Sequence, residues 1–301
     1  DARIKRFHKG AFFLAEKLKL DILPVVIHGT AYTMSKGDFL LKDGHITIKY
    51  LPRISPGNET FGDNYTARAR SVGRYFREQY ELLRLTCEQP AYFREQLIYN
   101  YLYKGPVLEW YLKVKTGMEK NYQLFHELLP QKGHISDIGC GYGFMSYLLH
   151  FAAPNREITG FDYDGEKIAV ASHCFSRDEQ IRFIEADATR ISPEASDGII
   201  LADMLHYLEP EQQLILLEKC MDKLNPGGIL LVRDGDRDLE ERHGGTKLTE
   251  FFSTRFFSFN KTVHNKLFFL SGRTIRDLAE KKNMNCRIID PSKYTSNLIF
   301  V

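Results

Sequence analysis

From His134 to its last residue the chain alternates short apolar runs with amphipathic ones, and this rhythm restricts its fold more than any other feature. HISDIG, EITGFD, IRFIEAD, DGIILAD and GGILLVRD are rich in β-branched residues and read as strands. Between them FMSYLLHFA, GEKIAVASHCF and PEQQLILLEKCMDKL have helical spacing. Such alternation predicts an α/β fold: a mostly parallel, Rossmann-like sheet with helices on both faces. A further helix, SGRTIRDLAEKKN, is followed by CRIID and SNLIFV. A short turn at Pro291-Ser292 joins these last strands and predicts an antiparallel C-terminal edge pair.

In open parallel sheets, ligands sit beyond the carboxyl ends of the strands. The first strand runs into DIGCGYG, a glycine turn that opens a helix. Gly139, Cys140, Gly141 and Gly143 form the turn, and the absence of a Cβ at its glycines lets backbone approach a ligand. Four acids close successive strands: Asp137, Asp162, Asp187 and Asp203. Asp137 is placed to hold water or an ammonium group. Asp162 falls about 20 residues after the turn, where a carboxylate accepts both ribose hydroxyls. Asp187 is placed to accept an adenine amino group. A lone Asp of this kind is usually a helix cap or an exposed loop carboxylate, whereas four in register with one glycine turn indicate a nucleotide-type site. The spacing disfavours NAD, whose turn is G-x-G-x-x-G, because residue 144 here is Phe. The pattern points to S-adenosylmethionine (SAM).

The stretch 131–301 resembles the class I SAM-dependent methyltransferases, through DIGCGYG, GFDYD, EADA, LADMLHYL and LNPGG. That resemblance implies that Tyr163 and Ala188 flank the adenine. It also implies that Met204 and His206, after the fourth strand, lie at the cofactor or substrate. The implied reaction is in-line displacement at the sulfonium methyl, with positioning of the acceptor supplying much of the rate. A hydroxyl or activated carbon acceptor must lose a proton, and His206 is the candidate base by place and intrinsic pKa. Asp234, ending the fifth strand, is a weaker catalytic candidate, as are His243 and His264. The segment 236–269 is long and aromatic and reads either as a lid suited to an apolar acceptor or as ordinary packing.

Upstream, 3–20 reads as a basic amphipathic helix and Ile22–Gly29 as a buried strand. Asp43-Gly44 sits between FLLK and HITIKYL as a hairpin signature, and 64–84 reads as a charged helix. RFHKGAFFLAEKLKLDILPVVIHGT resembles the C-terminal part of the lysophospholipid (acylglycerol-phosphate) acyltransferases, over about 1–84. That family's His-x-x-x-x-Asp and Gly-Thr-Arg blocks are expected upstream of Asp1, on a longer polypeptide, so acyl transfer is not expected of this stretch. The spacing His173 to Asp178 does occur, but in the methyltransferase part, and reads as coincidence. Lys5, Arg6 and Lys9 suit a lipid-phosphate site or a solvated helix face. Residues 85–130 read as a helical connector crowded with aromatics, either packing or a lid. The organisation expected is therefore 1–84, 85–130 and 131–301. An acyltransferase followed by a methyltransferase resembles bacterial fusions that also carry a lipid exporter. Such fusions imply aryl-polyene or lipid biosynthesis at the cytoplasmic face of the inner membrane, with membrane association through upstream domains.

Composition narrows the alternatives. At 301 residues and 43% hydrophobic, the chain can bury cores in two domains. A net charge of +2 argues against a nucleic-acid partner, and no Asn/Asp-Pro-Pro-Tyr motif follows the fourth strand, so an RNA methyltransferase is the weaker alternative. A non-catalytic SAM-binding regulatory unit is a third. The five cysteines form no Cys-x-x-Cys pair, which disfavours a metal site, and reduced thiols point to a cytoplasmic setting. No apolar run approaches the roughly 20 residues that span a bilayer. The acceptor expected is small and hydrophobic, aryl or lipid-linked.

Overall fold

A computed structural model describes residues 4–34, 43–119, 121–239, 267–291 and 297–301. The run FLLK, residues 240–266 with His243 and His264, and residues 292–296, where the sequence suggested a turn, lie outside the described residues. The chain divides into two compact units, Asp1–Glu95 and Gln96–Val301, where the sequence suggested boundaries at 84 and 130.

In the first unit, strands β1 (Val25–His28) and β2 (Thr47–Tyr50) pair antiparallel, Val25 opposite Tyr50. HITIKYL thus pairs with Val25–His28, and an isolated Ile22–Ile54 bridge lies beyond them. Helix α1 (Lys9–Lys17) is shorter than the expected 3–20, and one turn, α2 (Thr30–Thr33), follows β1. The long α3 (Tyr65–Cys87) starts at Asn64, whose side chain accepts the Thr66 and Ala67 amides. It buries Ala69, Val72 and Tyr80 against Phe12, Ile54, Val26 and Leu51. Beyond its end, Glu88 is buried and fully engaged. It accepts Tyr32 Oη at 2.8 Å and Arg84 Nη1 at 2.9 Å, and faces His28 Nε2 at 3.0 Å.

The second unit holds a seven-stranded sheet in the order β5-β4-β3-β6-β7-β9-β8. These are β3 (Lys132–Ile138), β4 (Asn155–Asp162), β5 (Ile181–Glu185), β6 (Ser196–Ala202), β7 (Leu224–Gly235), β8 (Ile288–Ile289) and β9 (Asn297–Phe300). The first five are parallel neighbours, and β9 lies antiparallel between β7 and β8. The order reverses between β3 and β6, which makes a crevice at their carboxyl ends. Both faces of the sheet are covered. Ile199, Leu201, Leu217 and Val232 belong to one core, and Ile135, Ile158, Ile200 and Leu231 to the other. This explains why the strands read as continuous apolar runs rather than alternating ones. Helices α7 (Phe144–Ala152), α8 (Gly165–Ser172), α9 (Pro210–Asp222) and α10 (Gly272–Lys281) make the crossovers and the last layer.

The connector forms α4 (Arg94–Tyr101), α5 (Pro106–Met118) and α6 (Asn121–Leu128), and α5 and α6 lie within the second unit. Two of its aromatics, Tyr101 and Tyr111, pack against Tyr142 and Phe144 at the glycine turn. Tyr101 is fully buried, donates to the Tyr142 carbonyl at 2.6 Å and meets Phe144 edge-on at 4.9 Å. Tyr103 donates to the Val170 carbonyl.

Candidate functional site

The glycine turn begins where β3 ends. Gly139, Gly141 and Gly143 take φ of +80, +56 and +76°, a region that side chains penalise. The Gly139 and Cys140 amides donate to the Phe161 carbonyl at the end of β4, which anchors the turn to the neighbouring strand. A Cβ on Gly139 would lie 2.8 Å from that of Met204, and one on Gly143 2.6 Å from the Phe183 ring. A Cβ on Gly141 would meet nothing within 4 Å, so the backbone there faces open space.

Asp162 ends β4 beside the turn, at 8% exposure. One carboxylate oxygen accepts the Gly141 amide at 2.8 Å, and the other accepts the Asp164 amide at 2.9 Å. An ionised carboxylate has about four acceptor positions, so two remain for further donors. Tyr163 follows and is half exposed. On the next strand, the Ala186 amide donates to the Asp162 carbonyl. Asp187 and Ala188 thus emerge at the same sheet end as Asp162. Asp187 accepts the Thr189 amide and hydroxyl, so it also caps its own loop. Ala188 and Met204 pack on the core.

Asp137 is buried, and one of its oxygens accepts the Ser146 hydroxyl at 2.6 Å. Burial raises its pKa to about 6, helped by the nearby Asp162 carboxylate and opposed by Ser146. Asp203 has a φ of +54°, unusual for a residue with a side chain, and pairs with Arg233 of β7. Arg233 also binds Glu119, at the end of α5, at 3.2 Å. Burial raises the pKa of Asp203, against the pull of Arg233. Lys115 of α5 acts on both Asp137 and Asp203.

His206 and Asp234 come together from different strand ends. The imidazole Nδ1 donates to Asp234 Oδ1 at 2.6 Å, and the His206 amide donates to Oδ2 at 3.1 Å. The Gly235 amide adds a third donor, and the Phe269 ring lies 5.5 Å from the imidazole. A carboxylate on Nδ1 sets the tautomer, so that Nε2 is the basic nitrogen. His173 and Asp178 do not form a pair: Asp178 bonds His150 at 3.0 Å, and His173 lies against Tyr103.

The sequence reading missed Lys115, Glu119, Arg233 and Ser146. Arg233 had a signal, a cation inside the apolar run ILLVRD, whereas Lys115 is one of two lysines on α5 and had none.

The residues fit SAM. The two open positions on Asp162 match a ribose diol, and the open space at Gly141 leaves a cradle beside it. Residues 135–228 match a family model described as a methyltransferase domain. A putative methyltransferase, YqeM, of Bacillus subtilis is 31% identical over 136 residues, 43% of this chain and 50% of that protein. A trans-aconitate 2-methyltransferase of Escherichia coli O157:H7 is 33% identical over 116 residues, 38% of this chain and 44% of the other. The chain spans about half the length of the curated relatives it matches. Among solved structures, an O-methyltransferase family protein from Burkholderia thailandensis superposes with a TM-score of 0.49 at 16% identity, over 70% of this chain and 58% of the other. Residues 135–228 are thus similar to a methyltransferase domain, and the site beside them fits SAM as its cofactor.

Proposed function

We propose that this protein transfers the methyl group of SAM to a small hydrophobic, aryl or lipid-linked acceptor. The observation that carries this reading is Asp162, held on the Gly141 amide with acceptor positions to spare. Bound SAM supplies an electrophilic methyl on a sulfonium. Asp162 takes the ribose hydroxyls, the backbone at Gly139, Cys140 and Gly141 lies along the methionine and ribose, and Asp187 takes the adenine amino group. Tyr163 and Ala188 flank the base, with Met204 packed behind Gly139. His206 Nε2 accepts the acceptor's proton, and Asp234 stabilises the imidazolium that results. Asp203 and Asp137 line the methionine end.

Residues 1–84 are assigned to the C-terminal part of an acyltransferase-like unit. They hold no His-x-x-x-x-Asp pair, so no acyl transfer is assigned to them. No described helix is long and apolar enough to cross a membrane. The cytoplasmic inner-membrane setting and the lipid or aryl pathway rest on the resemblance to the fusion proteins.

Thermal unfolding with SAM tests the reading. Ligand at 100 times its Kd adds about 2.7 kcal/mol to the unit that binds it. Wild type is expected to shift and Asp162→Ala to lose the shift. A wild type that stays put at millimolar SAM removes the cofactor site. A shift without methyl transfer to any lipid or aromatic extract leaves a SAM-binding regulator instead.

A further inference from the structure

Near the carboxyl ends of β6 and β7, α5 and α6 bring donors that the SAM contacts proposed above do not use. Tyr111, Lys115 and Glu119 are spaced by four residues and share one face at the end of α5. Tyr122 stands on α6, 6% exposed, and its Oη has no hydrogen-bond partner among the described residues. The same holds for Nε of Arg233, whose Nη1 donates to Asp203 and Glu119. Lys115 makes no hydrogen bond or ion pair among the described residues. Burial opposes its charge, but Tyr111, Tyr122, Asp203 and Glu119 around it outweigh that and raise its pKa, so it is an ammonium. Burial also raises the pKa of Tyr122, which keeps its proton and can donate it in a hydrogen bond. Lys115 and Arg233 both act on Tyr122, so the unpaired donors belong to one cluster. Buried donors left without acceptors are costly and rare, and a ligand that only accepts removes the cost.

We propose that Lys115 and Tyr122 hold a carboxylate carried by one of the reactants. The charge count selects a monoanion. Asp203 and Glu119 already answer Arg233, which leaves the single charge of Lys115. A dianion there would face Asp203, Glu119 and Asp137, all within the reach of Lys115. The inference rests on the methyltransferase reading of the site. The carboxylate is either that of the methionine part of SAM or that of an acidic acceptor. Action of Lys115 on Asp137, which ends β3 at the glycine turn, suits the first source. The second is suited by Arg233 and Asp203, which rise from the same two strand ends as the Asp234–His206 pair.

Two calorimetric titrations of the whole chain test it. The first compares SAM with decarboxylated SAM, which keeps the sulfonium and the ammonium. In the second, protein saturated with S-adenosylhomocysteine is titrated with benzoate and octanoate, each compared with its amide. Wild type is expected to prefer the carboxylate by at least about tenfold in one of the two. Lys115→Met is expected to abolish that preference, and Tyr122→Phe to reduce it by at least about threefold. Decarboxylated SAM is expected to bind both variants within about threefold of wild type, which shows that they are folded. Loss of the preference for SAM identifies the cofactor's carboxylate, and loss in the second titration alone identifies an acidic acceptor. Equal losses for SAM and decarboxylated SAM give Lys115 a structural role and overturn the inference. Preferences that both variants retain, or that wild type lacks, overturn it as well. A wild type that binds neither adenosyl compound removes the SAM site itself, and this inference with it.

Discussion

At the scale of single residues, two carboxylates of similar sequence context have opposite fates. Asp234 carries three donors and orients His206, whereas Asp137 is buried near another acid and its pKa is pushed up to about 6. His206→Asn and Asp234→Asn are each expected to lower kcat by about 10²–10⁴ while the Kd for SAM moves by no more than about threefold. An equal loss in Kd makes the pair a cofactor contact rather than a base. For Asp137 the native pKa of about 6 stands above that of an unfolded Asp. The native state therefore holds the extra proton: the carboxyl costs little below about pH 4, and its cost grows as pH rises towards 6. Asp137→Asn keeps an acceptor for Ser146 and removes that cost. Urea unfolding of the ligand-free proteins is expected to favour the variant by a few kcal/mol at pH 7 and by little at pH 4. A difference independent of pH contradicts the raised native pKa.

At the scale of elements, Arg156 shows how the connector is tied to the sheet. It opens β4, is fully buried, and donates to the carbonyls of His126, Leu129, Pro130 and Leu149. Those of His126, Leu129 and Pro130 belong to the end of α6 and its exit, where the helix itself leaves carbonyls unpaired, and that of Leu149 belongs to α7. Arg156→Met strands several buried acceptors at about 1–3 kcal/mol each, so a loss of at least ~3 kcal/mol is expected in urea unfolding. A loss under ~1 kcal/mol shows that water replaces the guanidinium. The guanidinium also donates to His126 Nδ1 at 3.1 Å, which requires neutral imidazole. Burial, then Arg156, lowers the His126 pKa to about 4. Its stabilisation is full above about pH 6.5 and is lost as pH falls towards 4, opposite in sign to Asp137 over the same window. These elements were legible in part. The strand–helix periods from 134 onward are regular because the central strands β3, β4, β6 and β7 are buried on both faces. The Asp43-Gly44 turn signal, by contrast, did not reveal that HITIKYL pairs with Val25–His28, since strand partners are chosen by burial of Val26 and Leu51 and not by local turn chemistry.

At the scale of the whole molecule, the cores of the two units share no residue. Calorimetry is expected to resolve two transitions, with SAM raising only the one from Gln96–Val301. One transition that moves as a whole shows that the units unfold together.

By itself the sequence determined the class of sheet, the glycine turn and the acids at the strand ends, because these depend on short-range periods and on the special backbone of glycine. It also named His206 and Asp234 separately. Only the tertiary structure decided that the two join in one hydrogen-bonded pair, that Asp137 turns inward, that Asp178 serves His150, and that Lys115, Glu119 and Arg233 gather around Asp203. Those outcomes depend on which distant strand ends are brought side by side and on which charges lose their water, and no local pattern encodes either.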